Sequence, residues 1–182
     1  MKAMKTKMLI FVFLLGITDL FAQTLYVPGT IVKGKNASYY CSSENEILIK
    51  VRNVNNVDTT TTMYYDDGTV VPFDEGSAVI ETKNEDLVRV FQEALTQKEI
   101  DILKSKISYS LLLDIVADKQ GNTLEITFSF RSNDPVMTKL DPDRLYQLEQ
   151  NLKKILKLNP SKADSSIKNM KYIQAISYKD LK

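Results

Sequence analysis

Residues 107–130 carry the pattern that most constrains the fold of this 182-residue chain. Apolar side chains occupy every second position in two segments, which a turn from Asp118 to Asn122 separates. A period of two places alternate side chains on one face of a strand, so the pattern predicts a long β-hairpin with one apolar face. The apolar positions are Ile107, Tyr109, Leu111, Leu113 and Ile115 in the first segment, and Leu124, Ile126, Phe128 and Phe130 in the second.

A helix with one apolar stripe is predicted after the hairpin. Asp141 is a good N-cap, and Pro142 fits the first helical position, where its missing N–H costs nothing. Pro160 is expected to stop this helix, and a last strand is predicted from Met170 to Tyr178. The stripe consists of Leu145, Leu148, Leu152 and Ile155, and the lysines expected on the solvated side are Lys153, Lys154 and Lys157.

The order strand, turn, strand, helix, strand predicts a helix that packs on one face of a small antiparallel sheet. Residues 110–181 also resemble the C-terminal domain of the TonB energy-transducer superfamily, and small secreted proteins of Gram-negative bacteria that carry such a domain. TonB proteins keep a membrane anchor and have a Pro-rich spacer, and neither is expected here, so the resemblance implies the fold and not energy transduction. It is carried by Leu111 to Val116, Asp118, Gly121, Leu140-Asp141-Pro142 and Pro160.

The part of the chain before residue 84 is predicted to be rich in strands. Ile47, Ile49 and Val51 alternate with polar residues, as in a half-buried strand. The triplet Asp66-Asp67-Gly68 is a hairpin turn signal between residues 61–65 and 69–73. A further short strand is possible at residues 77–82.

Two short helices, or one bent helix, are predicted between this region and the hairpin. Asn84 can cap the first helix, and Thr96 with Glu99 matches a capping box that starts a second helix at Gln97. The apolar positions are Leu87, Val88, Phe91 and Leu95 in the first helix, and Ile100 and Leu103 in the second, with Ile107 as a candidate third position. We therefore predict an α+β fold, with a β-rich region at 23–83 and the helices plus the TonB-like unit at 84–182. These two regions could share one core or fold apart.

Residues 1–22 have the order of a cleavable signal peptide. Three lysines precede an apolar run from Met8 to Ile17, and Ala22 offers a small side chain at the cleavage position. The run is shorter than the roughly 20 residues that a spanning helix needs, so cleavage between Ala22 and Gln23 is predicted. The product would be exported to the periplasm or the cell exterior. Without these residues the net charge is about −1, which gives no electrostatic footprint for nucleic acid.

The absence of histidine and the single Cys41 exclude several kinds of chemistry. A Ser-His-Asp triad, a Cys-His pair and a His-containing zinc site are impossible, and one cysteine cannot form an internal disulfide. Cys41 is interpreted as a small buried residue, with an intermolecular disulfide as the alternative. We expect no catalytic residue, no cofactor and no metal site.

Three other groups of residues are candidate sites. Asp66-Asp67 with Asp74-Glu75 could bind calcium but lack EF-hand spacing, so solvated turn residues are the simpler interpretation. A carboxylate pair, Asp101 or Asp114 with Glu125, could serve a hydrolase. The pairs Tyr39-Tyr40 and Tyr64-Tyr65 could stack on sugars, although adjacent strand residues face opposite ways.

The leading functional hypothesis is a non-enzymatic interaction module of the cell envelope. The last strand is expected near a sheet edge, where unpaired backbone groups could bind a strand of another envelope protein. Lys171 and Lys179 could instead protect that edge. The second hypothesis is a protein that binds small molecules or glycans through surface tyrosines, and the third is a carboxylate-dependent hydrolase. The predicted partner-contact residues are Tyr172, Gln174, Ile176 and Tyr178.

Overall fold

The computed structural model describes residues 24–43, 45–58, 62–72 and 78–182. The predicted signal peptide, its cleavage junction at Ala22 and Gln23, and the acidic residues Asp74 and Glu75 lie outside these ranges. No helix formed by the described residues is long and apolar enough to cross a membrane.

Eight strands and three α-helices make up the described chain. The order along the chain is β1 (Ile31–Lys33), β2 (Ser38–Ser43), β3 (Leu48–Asn53), β4 (Val79–Ile80), α1 (Asn84–Glu93), α2 (Gln97–Lys104), β5 (Ser110–Ala117), β6 (Thr123–Arg131), α3 (Pro142–Ile155), β7 (Leu158–Asn159) and β8 (Met170–Ser177).

Six of these strands form one antiparallel sheet in the order β1-β2-β3-β6-β5-β8. The pairing of β3 with β6 joins the region before residue 84 to the C-terminal hairpin, with Val51 opposite Phe128. The two regions therefore lie in a single sheet. β4 and β7 form a separate two-stranded sheet at one end.

The three helices cover one face of the six-stranded sheet, which we call the inner face. Most apolar residues predicted from the alternating pattern point there, and Leu111, Phe128 and Phe130 have no exposed surface, whereas Leu124 is 46% exposed. Burying a side chain of this size stabilises a fold by about 1.5–3 kcal/mol. Helix α3 supplies Leu145, Leu148 and Leu152, also fully buried, so the predicted α+β fold with a helix on an antiparallel sheet is confirmed.

A partly buried ion pair between Arg144 and Glu99 connects the three helices. The predicted capping box at Thr96 and Glu99 is present, and Glu99 also accepts a hydrogen bond from Nη2 of Arg144 at 2.6 Å. The same guanidinium donates to the carbonyl of Ala94 at 2.7 Å, just after α1. Chiefly because of the bond from Arg144, the pKa of Glu99 falls to about 2. This carboxylate therefore stays ionised well below neutral pH.

The structure corrects three details of the predicted helices. Helix α1 is capped by Lys83 without a side-chain bond, and Asn84 is a helical residue whose amide donates to Asp180 at 3.3 Å. Ile107 belongs to neither α2 nor β5 and is 68% exposed, because the chain turns between these elements. Helix α3 ends at Ile155, and Pro160 follows β7 rather than stopping the helix.

The signal at Asp66-Asp67-Gly68 predicts the turn but not the strands around it. Gly68 has a φ of +85°, and the N–H of Tyr65 donates to the carbonyl of Thr69 at 2.9 Å. The described residues on either side form only one bridge, between Tyr64 and Val70. Tyr65 bridges Ile167 instead, so this segment is held by the C-terminal region and not by a ladder of its own.

Candidate functional site

The face of the sheet opposite the helices, here called the outer face, carries charged and small polar side chains. The register places Arg52 of β3 beside Thr127 of β6, and Thr127 beside Asp114 of β5. Ile173 of β8 continues this row at the far edge. Side chains that are directly opposite in a sheet lie about 5 Å apart, so the row crosses four strands without a gap.

The segment after β3 crosses this outer face and forms a wall. The side-chain amide of Asn56 donates to the carbonyl of Ile126 at 3.1 Å. The Glu125 carboxylate accepts the N–H of Val57 at 2.8 Å and that of Asp58 at 3.2 Å. The backbone N–H groups of Val57 and Asp58 have no strand partner, and the Glu125 side chain provides their acceptor. These bonds therefore attach the wall to β6.

The wall continues through residues 62–72. Asp66 forms an ion pair with Lys119 in the turn between β5 and β6, at 2.5 Å. The carbonyl of Tyr64 accepts the N–H of Lys168 at 2.8 Å, just before β8. The segment is therefore attached at both the hairpin turn and the edge strand.

A cavity of about 650 Å³ lies between this wall and the outer face. Its size is within the usual range of small-molecule sites, about 300–1,000 Å³. Val71 and Val116 are almost fully buried, whereas Ile173 is 67% exposed at the rim. The apolar and aromatic residues of the lining are Met63, Val70, Val71, Pro72, Ile115, Val116, Tyr172 and Ile173.

Among the described residues, five charged side chains line the cavity, and four of them form ion pairs. Lys50 lies 3.1 Å from Asp114 across β6, and Lys171 lies 2.5 Å from Asp58 of the wall. The guanidinium of Arg52 lies over the ring of Tyr40, 5.1 Å from its centre. Among the residues that the structure describes, no carboxylate contacts Arg52.

A buried hydroxyl lies in the next row of the outer face. Ser129 of β6 is opposite Lys50 on one side and Leu112 on the other, and it is 3% exposed. Its Oγ has no hydrogen-bond partner within the described ranges. Buried polar groups are nearly always bonded, so Ser129 is an unusual feature of this face.

The structure corrects the predicted partner-contact residues. Tyr172, Gln174, Ile176 and Tyr178 share one side of the chain, as predicted, but that side is the helix-covered inner face. Ile176 and Tyr178 are fully buried, so their side chains cannot meet a partner. Tyr172 and Gln174 are half-buried, and Tyr172 also borders the outer-face cavity. The side chains that β8 presents outward are Lys171, Ile173, Ala175 and Ser177.

Tyr178 is a core residue because its hydroxyl finds a buried acceptor. It donates to Oδ2 of Asp134 at 2.7 Å, and its ring stacks on Phe91 at 5.9 Å between centres. Burial, followed by the charge of Asp134, raises the pKa of Tyr178 above its ordinary value. The other oxygen of Asp134 accepts the N–H groups of Val136 and Met137.

The two tyrosine pairs that were candidates for sugar stacking are separated by the fold. Tyr39 is fully buried on the inner face, whereas its neighbour Tyr40 lies on the outer face against Arg52. Tyr64 is 40% exposed on the wall, and Tyr65 is half-buried. No pair therefore forms the flat aromatic platform that sugar stacking would use.

The predicted carboxylate groups are distributed over different parts of the molecule. Asp114 and Glu125 share the outer face, but Asp114 pairs with Lys50 and Glu125 holds the wall. Asp101 lies on α2, on the other side of the sheet, and accepts a bond from Gln97. Asp67 is bonded to Thr69 in its own turn, which lowers the pKa of Asp67. No cluster suited to a metal ion occurs within the described ranges.

Two further single-residue predictions have different outcomes. Cys41 is unpaired and fully buried on the inner face, where burial raises the pKa of its thiol. This is the environment of a small apolar residue. Lys153 does not lie free on the solvated side of α3, because its Nζ is 2.6 Å from Oε1 of the fully buried Glu149.

The cavity itself was missed by sequence reasoning. Lys50 and Arg52 alternate with the buried Ile49 and Val51, and this alternation already indicates a basic outer face on β3. The wall carries no periodic pattern, because side-chain bonds such as those of Glu125 hold it in place.

Comparison with known proteins establishes a relationship of fold. No protein-family model and no curated protein matches the chain. A solved structure of a DUF5043 family protein from Bacteroides uniformis is similar over 85% of this chain and 88% of that chain, with a TM-score of 0.69 and 17% sequence identity. At this identity the likeness concerns architecture alone, so this chain shares the α+β fold of that protein.

Proposed function

We propose that the protein is a non-enzymatic binding protein that holds a small molecule in the outer-face cavity. The observation that carries this proposal is the cavity of about 650 Å³, whose wall is bonded to β6, to the hairpin turn and to the segment before β8. When a site is already formed, little conformational entropy is lost as the ligand binds.

The arrangement of the cavity carboxylates supports binding rather than catalysis. Asp58 and Asp114 each form an ion pair with a lysine of the lining, at 2.5 and 3.1 Å. Each carboxylate is therefore engaged by a neighbouring side chain, whereas a hydrolase with two carboxylates directs both of them at one bond of the substrate.

Filling the cavity should abolish binding of an apolar probe. Thr127→Trp places an indole in the centre of the lining, and an aromatic side chain is well tolerated in a strand. We expect the neutral fluorophore N-phenyl-1-naphthylamine to bind the unchanged protein saturably, and the variant to bind it at least about tenfold more weakly. Fluorescence titration measures both affinities.

Ser42→Trp is the matched control, because Ser42 is on the outer face but outside the lining. This variant should bind the probe as the unchanged protein does. Absence of saturable binding, or equal weakening in both variants, would reject the cavity as the site.

We also propose that the protein acts in the cell envelope after export. The charged, apolar and small-residue segments before Gln23 support this location. Mass spectrometry of the protein from native cells should find a mature chain that begins at Gln23, and a retained Met1 would contradict export with cleavage.

The edge of β8 favours strand addition to another envelope protein as a second candidate. β8 is the last strand of the sheet order, and the N–H of Tyr178 donates to Tyr109 beside β5. Backbone groups alternate in direction along an antiparallel strand, so those of Ile173 and Ala175 point away from β5. Ile173 is also 67% exposed.

A proline at the open edge of β8 should distinguish strand addition from small-molecule binding in the cavity. Ala175→Pro removes one outward N–H while the bonds to β5 remain, so the fold should be retained and a strand partner should be lost. Ala175→Thr keeps the donor and is the control. Pull-down from native envelopes with both variants is the measurement, and equal recovery of the same partner would exclude edge pairing.

A further inference from the structure

We infer that the ligand of the outer-face cavity is an amphipathic anion, with an apolar body and one carboxylate that binds Arg52. This inference rests on the proposed binding function and adds the chemical class of the ligand. It follows from the distribution of charge and of apolar surface within one cavity.

Within the part of the lining that the structure describes, the ion pairs leave one positively charged side chain without an acidic partner. Lys50 is matched by Asp114, and Lys171 is matched by Asp58, at 3.1 and 2.5 Å. Arg52 is the remaining charged group of the lining, and it contacts no carboxylate among the described residues. The described residues of the lining therefore carry a net charge of +1, and the excess lies at Arg52.

The structure holds Arg52 ready for a planar anion. Its guanidinium lies over the Tyr40 ring at 5.1 Å, and cation–π contact of this kind fixes the position of the group without using its N–H donors. Those donors form a fork that matches the two oxygens of a carboxylate. Thr127, directly opposite Arg52 on β6, places a hydroxyl beside the same point.

The rest of the cavity suits an apolar body. Val71 and Val116 provide buried surface close to the wall, and Met63 and Pro72 extend it. A neutral apolar ligand would cover Arg52 without giving it a partner, which is costly for a charged group. A cationic ligand would be repelled by Arg52. An anion with an apolar tail can pair with Arg52 and at the same time cover the apolar side chains of the lining.

Competition between ligands of equal length tests the charge requirement. Decanoate, decanol and decylammonium should each be titrated against the bound neutral fluorophore. We expect decanoate to displace it at a concentration at least about tenfold lower than decanol, and decylammonium to be the weakest, as charge-assisted hydrogen bonds to Arg52 imply.

Arg52→Gln should remove the preference for decanoate while the neutral fluorophore still binds. Lys33→Gln is the control, because it removes one positive charge from the same face outside the lining and should keep the preference. If the fluorophore binds but decanoate is no better than decanol in the unchanged protein, the ligand class is wrong and the cavity function stands. If the fluorophore does not bind at all, both are wrong. A preference that persists in Arg52→Gln would overturn the role of Arg52.

Discussion

Gly121→Ala should destabilise the protein by about 3 kcal/mol or more, because the residue is constrained twice. Gly121 has a φ of +81° in the turn between β5 and β6, a conformation that favours glycine. A Cβ at this position would also lie 1.9 Å from the carbonyl oxygen of Leu158. The obstacle is backbone, held by a 2.9 Å bond from the N–H of Leu158 to the carbonyl of Gly121, so it cannot rotate away.

Gly68→Ala provides the control for this experiment. Gly68 has the same backbone conformation, with a φ of +85°, and an added Cβ would meet nothing within 4 Å. Its cost should be about 1–2 kcal/mol, from the left-handed conformation alone. Chemical denaturation measures the free energy of unfolding of the two variants. Equal losses would show that the Leu158 backbone moves away from the new Cβ at little cost.

Lys153→Met should lower the free energy of unfolding by about 2–3 kcal/mol, although lysines of a helix surface are usually dispensable. Lys153 is the ion-pair partner of Glu149, which is fully buried. The carboxylate also accepts the hydroxyl of Tyr39 at 2.7 Å and the amide of Asn53 at 3.2 Å. Without the lysine, this buried charge has only neutral partners, and the bonds to β2 and β3 cannot replace the ion pair.

Two further variants distinguish the loss of the Lys153–Glu149 ion pair from the effect of replacing any lysine on the surface of α3. Lys154→Met, one position along the helix, should change stability by no more than about 0.5 kcal/mol. Adding Glu149→Gln to Lys153→Met should recover most of the loss, because an amide keeps the bonds to Tyr39 and Asn53 without a charge. Equal tolerance of the two lysine variants in urea unfolding would contradict the prediction.

The C-terminal hairpin and α3 were predictable because their information is local. The alternation around Leu113 and Phe128 and the cap at Asp141 each lie within a few residues of the structure they specify. The pairing of β3 with β6 depends instead on residues far apart in the chain, and no short pattern encodes that register. The resemblance to the TonB C-terminal domain stays a prediction.

The site was harder to predict than the fold, for physical reasons that Glu149 and Glu125 illustrate. Both are glutamates with an ordinary sequence context, yet one is buried among the core tyrosines and the other holds a backbone segment across the sheet. Their roles arise from partners on distant strands. From the sequence alone, a glutamate at such a position is interpreted as a solvent-exposed surface residue, because its partners are known only once the fold is known.

The pairing of β3 with β6 also sets the order in which this chain can fold during synthesis. Strands β1 to β3 emerge first, but the open side of β3 has no partner until residues 54–131 have followed. Until then Ile49 and Val51 face water, and the hydrogen-bonding edge of β3 is available to other chains. Strands β1 to β3 therefore cannot complete their part of the sheet before β6 has been made. During synthesis, the first three strands are a fragment with one unpaired edge and an uncovered apolar face.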